Sequence, residues 1–308
     1  MKRLFVFGCS YTAYSWPSWA DLLSCEYDHF ENWGMAGLGN RAICERLAEC
    51  HVKHKFNKDD TIIIQWSTHL RNDFFHQSGT LTERVPGWKT AGSVFNYLNE
   101  SIYDRKWLET FFDEEAFFMH TLHHIMLAQH LLKSTCAKWY MTSIGDLREL
   151  GSDIDITSTY GEQSLFTRIK DRFAKQKEKY FAYRVTPSLK IYNDPIWTEH
   201  ADHWVQPVGS WIIQNIKDPF YVFKDELGEP FIDHHPKPSS HLEWLVKFLI
   251  PKLGIDPQLE RYKQISDQSD ILQAKNINNE KKSFEKLLFR EKFDLPAWPN
   301  MIKGFVTF

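Results

Sequence analysis

The sequence predicts an α/β protein built around a parallel sheet, and three observations carry that prediction. Leu4 to Phe7 is a continuous apolar run, the pattern of a strand buried on both faces, and Asp60 to Trp66 (DTIIIQW) reads as a second strong buried strand. Each is followed by a loop and then by helix-forming sequence. A third strand, Lys138 to Ile144 (KWYMTSI), follows a long helix pattern from Phe117 to Lys133. Strand, loop and helix in alternation is the rhythm of crossover connections in a parallel sheet, whose ligand sites lie at the carboxyl ends of the strands.

The first helix is expected over Trp16 to Leu23 (WPSWADLL), with Pro17 in its first turn. A glycine loop, Asn32 to Asn40 (NWGMAGLGN), comes next, and Asn40 is placed to cap a helix running through Ala42, Ile43, Leu47 and Ala48. Residues Leu70 to about Ala116 are irregular and aromatic, and Ser152 to Trp204 are mixed and polar; both read as insertions. "PFIDHHPKPSSHLEWLVKFLIPKL" reads as a loop leading into a helix from about His241 to Leu253. The expected organisation is one domain over 1–255, with lid-like insertions at about 74–116 and 152–204, and a C-terminal helical arm and tail over 256–308. The Lys and Glu rich stretch from Lys281 to Lys292 reads as a solvated helix face.

Composition narrows the function classes. The 308 residues are 43% hydrophobic and 25% charged, with a formal net charge of -3, which gives no footprint for nucleic acid. Five cysteines, Cys9, Cys25, Cys44, Cys50 and Cys136, contain no C-x-x-C pair and fit a reducing compartment. No run approaches the roughly 18 apolar residues of a membrane helix, and the apolar part of the N-terminus, about five residues, is shorter than a secretion signal needs. The expectation is a cytoplasmic protein with no membrane span.

Chemistry concentrates in three segments. Ser10 follows the first strand beside Gly8, where a hydroxyl can point out of the sheet edge and helix amides favour developing negative charge. Asp233 and His235 lie two apart near the other end of the chain. A carboxylate there can hold the imidazole by Nδ1 and leave Nε2 for a serine. The glycine loop offers backbone N–H groups for an oxyanion. Each segment also has a plain reading: a turn serine, a capping carboxylate, a glycine turn.

Taken in order, these segments resemble the SGNH (GDSL-like) hydrolase family. "VFGCSYT" looks like its first block, with Cys9 in place of the usual Asp and Ser10 as nucleophile. "NWGMAGLGN" looks like the second, which places the oxyanion glycine at Gly37. "DTIIIQWSTHLRND" lies where the third falls, and "DHHP" looks like the last, with Asp233 and His235 as triad partners. Two blocks depart from the pattern. Where the third normally reads Gly-x-Asn-Asp, alignment from Asp60 puts Ser67 at the glycine and His69 at the oxyanion Asn, with Thr68 or Asn72 as substitutes. The last is D-x-H instead of D-x-x-H. The resemblance implies a three-layer α/β/α sandwich of the flavodoxin-like SGNH type. It also implies a Ser10–His235–Asp233 triad, an oxyanion hole from Ser10 and Gly37, and hydrolysis of a small ester, such as an O-acetyl group on a sugar, with no metal or other cofactor. Arg71 and Asn40 are the candidate substrate contacts.

Two further function classes stay open at this stage. The altered third block allows a non-catalytic protein that binds a glycan or partner. "FIDHH" also looks like the manganese-dependent DHH phosphoesterase signature, although no Asp-x-Asp follows the first strand. His120, His123 and His124 share a helix with zinc-like spacing, but Thr121 stands where a metalloprotease helix carries Glu, so a histidine cluster without metal is the reading.

Overall fold

A computed structural model describes residues 1–76, 87–93, 105–111, 113–147, 195–288 and 293. The lid-like role expected for the second insertion falls mostly on residues 148–194, which lie outside the described residues, as does the tail beyond 293.

Among the described residues, four parallel strands form the central sheet: β1 (Arg3–Phe7), β2 (His29–Asn32), β3 (Asp60–Trp66) and, after further elements, β6 (Lys138–Ser143). Their order is β2-β1-β3-β6, with Leu4 beside Phe30 and Thr61, and Ile64 beside Met141. The chain steps to one side of β1 and then returns across it to β3. This is the doubly wound arrangement, and its switch point falls between the carboxyl ends of β1 and β3. Leu4 to Phe7 of β1 is buried, as its continuous apolar run predicts, and so is every residue of β3, its polar Asp60, Thr61 and Gln65 included.

Helices flank the sheet in two groups. Helix α2 (Asn40–His54) packs on β1, β3 and α4 (Glu114–Lys133). The other group comprises α1 (Trp19–Leu23), α5 (Val208–Asn215), α6 (Pro238–Trp244, continuing through Leu245–Leu249 and Ile250–Leu253) and α7 (Leu259–Ala274). The architecture is a mixed α/β fold with a central parallel sheet between helices, compatible with three layers. Among the described residues no helix is long and apolar enough to cross a membrane.

Several elements differ from the sequence reading, each for a local reason. Helix α1 starts at Trp19, not Trp16, because Ser18 and Asp21 form a capping box: Ser18 Oγ accepts from Ala20 N, and Asp21 Oδ2 accepts from Ser18 N at 2.8 Å. Strand β2 precedes the glycine loop, in a stretch to which the sequence reading assigns no element; only four residues long, it is too short to show a period. The first insertion is not irregular throughout. It contains an antiparallel pair, β4 (Arg71–His76) with β5 (Gly87–Ser93), and helix α3 (Arg105–Phe111). The Asp233–His235 segment is not a loop but the end of strand β8 (Pro230–Pro236), paired antiparallel with β7 (Phe220–Lys224).

The C-terminal arm is not separate from the core. Tyr262 and Ile265 of α7 and Phe284 of α8 (Lys281–Leu287) belong to the same buried cluster as the sheet. Phe284 meets Trp16, Tyr221 and Phe223 at ring distances of 5.9, 5.1 and 5.7 Å.

Candidate active site

Beyond β1 the chain makes one tight turn, in which Cys9 O accepts from Thr12 N at 2.9 Å and Ala13 N at 3.0 Å. Gly8 is required there by close approach: a Cβ would lie 2.1 Å from Thr12 Oγ1. The turn is fastened to β3 by Thr12 Oγ1 donating to Gln65 Oε1 at 2.8 Å. Ser10 sits at its start, 5% exposed, and among the described residues its hydroxyl makes no hydrogen bond. Its N–H is one of the leading amides of a helical turn, which have no acceptor within that turn.

The Asp233–His235 pair is formed. On a strand, residues two apart share a face, so the D-x-H spacing serves where D-x-x-H would not. His235 Nδ1 lies 2.5 Å from Asp233 Oδ1, and the same oxygen accepts from His235 N at 3.1 Å. His234 faces the other way, edge-on to Phe220. Burial pushes Asp233 upward, but hydrogen bonds and charge from His235 and Lys281 outweigh it and hold the carboxyl well below its ordinary range. His235 itself is lowered, first by burial; Asp233 opposes, while Lys281 and Arg71 add to the lowering.

Three contacts tie this strand to the Ser10 turn. Tyr11 Oη donates to His234 O at 3.0 Å, Trp16 Nε1 donates to Pro236 O at 2.9 Å, and the Tyr14 ring stacks on His235 at 3.6 Å. The Tyr11 ring, next in sequence to Ser10, lies 5.9 Å from the His235 ring. Ser10 Oγ makes no hydrogen bond to His235; the turn that bears Ser10 meets the His235 ring through Tyr11 and Tyr14.

The glycine loop closes on the same junction. Met35 N donates to Gly8 O, and Asn32 Nδ2 to Thr12 O. Gly37 takes φ +84, the left-handed region that favours glycine, and is half-buried. The amides of Gly34 and Gly39 are taken, by Asn32 Oδ1 and Asp73 Oδ1.

The third block is arranged differently from the expectation. Asn40 does not cap α2. It is the first helical residue, and its amide bridges the Ser67 backbone on both sides, at 2.7 and 3.0 Å, and reaches Thr121 Oγ1. The cap comes instead from Asp73, whose carboxylate accepts from Gly39 N at 2.8 Å and Ala42 N at 3.1 Å. His69 is buried edge-on against Phe118. Thr68 Oγ1 accepts from Leu70 N, and Asn72 Oδ1 from Asp73 N. Arg71 donates to Leu38 O at 3.0 Å, and its charge is felt at both Tyr11 and His235.

Two residues with roles here escaped the sequence reading. Tyr14 carried no signal beyond being aromatic. Lys281 was read within a solvated helix face, yet its Nζ lies 2.7 Å from Asp233 Oδ2. Of the histidine cluster, His120 is exposed and His124 is lowered to about 4, by burial and then by His120. The donor set that could hold a metal among the described residues is elsewhere, Glu31, Cys50 and His54 between β2 and α2. There Glu31 Oε2 already accepts from Trp33 Nε1 and lies 3.0 Å from His54 Nε2.

No protein-family model matches this chain, and no curated protein matches it in sequence.

Proposed function

We propose that the protein is a serine ester hydrolase of the SGNH type acting on a small acylated substrate, with an acylated sugar as one candidate class. The observation that carries this reading is the Asp233–His235 pair, held at 2.5 Å and packed through Tyr14 and Tyr11 against the turn that bears Ser10. Asp233 fixes the tautomer with hydrogen on Nδ1, which leaves the Nε2 lone pair as base. Ser10 Oγ attacks the acyl carbon while His235 takes its proton; His235 then returns the proton to the departing alkoxide. Water, activated by the same imidazole, releases the acyl group and restores Ser10. The tetrahedral oxyanion is assigned to the Ser10 N–H, and Arg71 to an anionic or hydroxyl-rich part of the substrate. Serine and imidazole come within hydrogen-bond reach when substrate seats, since such bonds are commonly long in empty sites.

The test is covalent capture by a fluorophosphonate probe alongside turnover of p-nitrophenyl acetate. Labelling and turnover that both vanish in Ser10→Ala support the hydrolase. The absence of a Ser10–His235 bond in the structure favours a second reading, a protein of the same fold that binds a glycan or partner without cleaving it. Equal behaviour of wild type and Ser10→Ala, with ligand retained, would establish that one.

A further inference from the structure

The Asp233 carboxylate is nearly buried, and both of its oxygens are occupied. Oδ1 serves His235. Oδ2 accepts from Tyr14 Oη at 2.8 Å and from Lys281 Nζ at 2.7 Å. Lys281 Nζ also lies 2.5 Å from Tyr14 Oη and 4.9 Å from the centre of the Tyr14 ring. One ammonium therefore grips the carboxylate and the aromatic plate that covers the imidazole.

Backbone, not chance, puts Lys281 there. Asn279 O accepts from Lys224 N at 2.8 Å, and Asn279 Nδ2 donates to Val222 O at 2.9 Å, which pins the start of α8 to β7. Three residues on, Phe284 is buried among Trp16, Tyr221 and Phe223. Glu285, 3.9 Å from Lys281, accepts from Ser15 Oγ at 2.7 Å and ties the helix to the Ser10 turn. An exposed lysine pair is worth little, but the Lys281 side chain is only 29% exposed and that of Asp233 6%.

We propose that Lys281, delivered by the C-terminal arm, is a positioning residue that fixes Asp233 and Tyr14 and thereby sets the orientation and basicity of His235. This inference rests on the hydrolase reading for its kinetic consequence, but its physical core does not. Through Asp233 Oδ2 the lysine keeps the carboxylate ionised and aimed, and by its charge it disfavours a second cation on the imidazole. The other groups facing His235 are Asp233 on β8, Tyr11 and Tyr14 from the turn after β1, Arg71 on β4 and His241 on α6; Glu285 faces Lys281. Removing the lysine takes away one cation and makes the carboxylate more basic. Both changes raise the imidazole's affinity for a proton.

The experiment is NMR titration of the His235 ring in the full chain, in wild type, Lys281→Met and Lys281→Arg, each also in the Ser10→Ala background, with pH profiles of ester turnover beside it. In Lys281→Met the ring midpoint rises by about 0.5–1 pH unit, the acid limb of kcat/KM moves with it, and kcat at neutral pH falls by about threefold to tenfold with KM unchanged. Lys281→Arg restores most of both. A titration midpoint that does not move in a folded Lys281→Met protein overturns the proposal. If Lys281→Met fails to fold, Lys281→Gln takes its place under the same criterion. A midpoint that moves while Ser10→Ala still turns over ester as wild type does sinks the hydrolase reading and leaves the positioning of His235 standing.

Discussion

Tyr14 lies flat on His235, with ring centroids 3.6 Å apart and planes inclined by 15°, while its hydroxyl reaches past the imidazole to Asp233 Oδ2. One side chain thus contacts both members of the acid–base pair, by its face and by its edge. The face excludes water from one side of the imidazole and limits its tilt. The hydroxyl helps hold the carboxylate in the plane it needs for Nδ1.

These two contributions separate by substitution. Tyr14→Phe keeps the plate and loses one hydrogen bond to a charged acceptor, so kcat/KM should fall by about fivefold to tenfold. Tyr14→Ala loses the plate as well and should cost about another tenfold. Steady-state turnover of p-nitrophenyl acetate reads both. If Phe and Ala variants both match wild type, the stacking has no part in the chemistry.

The pH dependence has a definite sign. His235 acts as base only when neutral, and burial holds its pKa below the ordinary 6.5 despite Asp233. Activity should therefore rise through a midpoint below pH 6.5 and be flat above it until other groups titrate. A profile of kcat/KM from pH 4 to 8 checks this. A midpoint above 7 would mean that Asp233 outweighs burial.

The buried strands were legible from their apolar cores: Leu4 to Phe7, and Ile62 to Ile64 within Asp60 to Trp66, announce a parallel sheet without reference to anything distant. Helix α4 was legible by its length. The pairing of Asp233 with His235 was also within reach, because a two-residue offset is a local property once the segment is extended. What was not legible depends on contacts far along the chain. Asn40 looks like a cap, yet Asp73, thirty-one residues beyond Ala42, supplies the carboxylate, and no local pattern announces it. Lys281 sits in a charge-rich helix that looks solvated, and only the docking of Phe284 beneath it turns that lysine inward. Tyr14 belongs to a turn whose conformation is fixed by Gly8, Thr12 and Gln65, so its ring plane is a tertiary outcome.

Asp73 gives a test of stability that also bears on the site. Its carboxylate is fully buried, stands at the positive end of α2, and receives the Gly39 and Ala42 amides. Asp73→Ala should lower stability by about 1–2 kcal/mol, and Asp73→Asn by less, because the amide oxygen still accepts. Urea midpoints at neutral pH measure the difference. Since Gly39 lies in the glycine loop, the Ala variant should also loosen that loop, whereas equal stability of all three proteins would show that water replaces the cap.

His241 should make the protein acid-sensitive. It is buried on α6 with its ring edge to Tyr11, and its Nδ1 has no hydrogen-bond partner among the described residues. Burial, and then the proximity of His235, depress it from 6.5 to about 3. The folded state therefore refuses a proton that the unfolded chain accepts below pH 6.5. Its contribution is fully present above 6.5 and drains away as the pH falls toward 3. At pH 4.5 the loss is about 2–3 kcal/mol. His241→Leu, close in volume and unable to titrate, should narrow the gap between stabilities at pH 7 and pH 4.5 by that amount. Urea unfolding of both proteins at the two pH values decides it: parallel losses in wild type and variant would move the acid sensitivity to other groups.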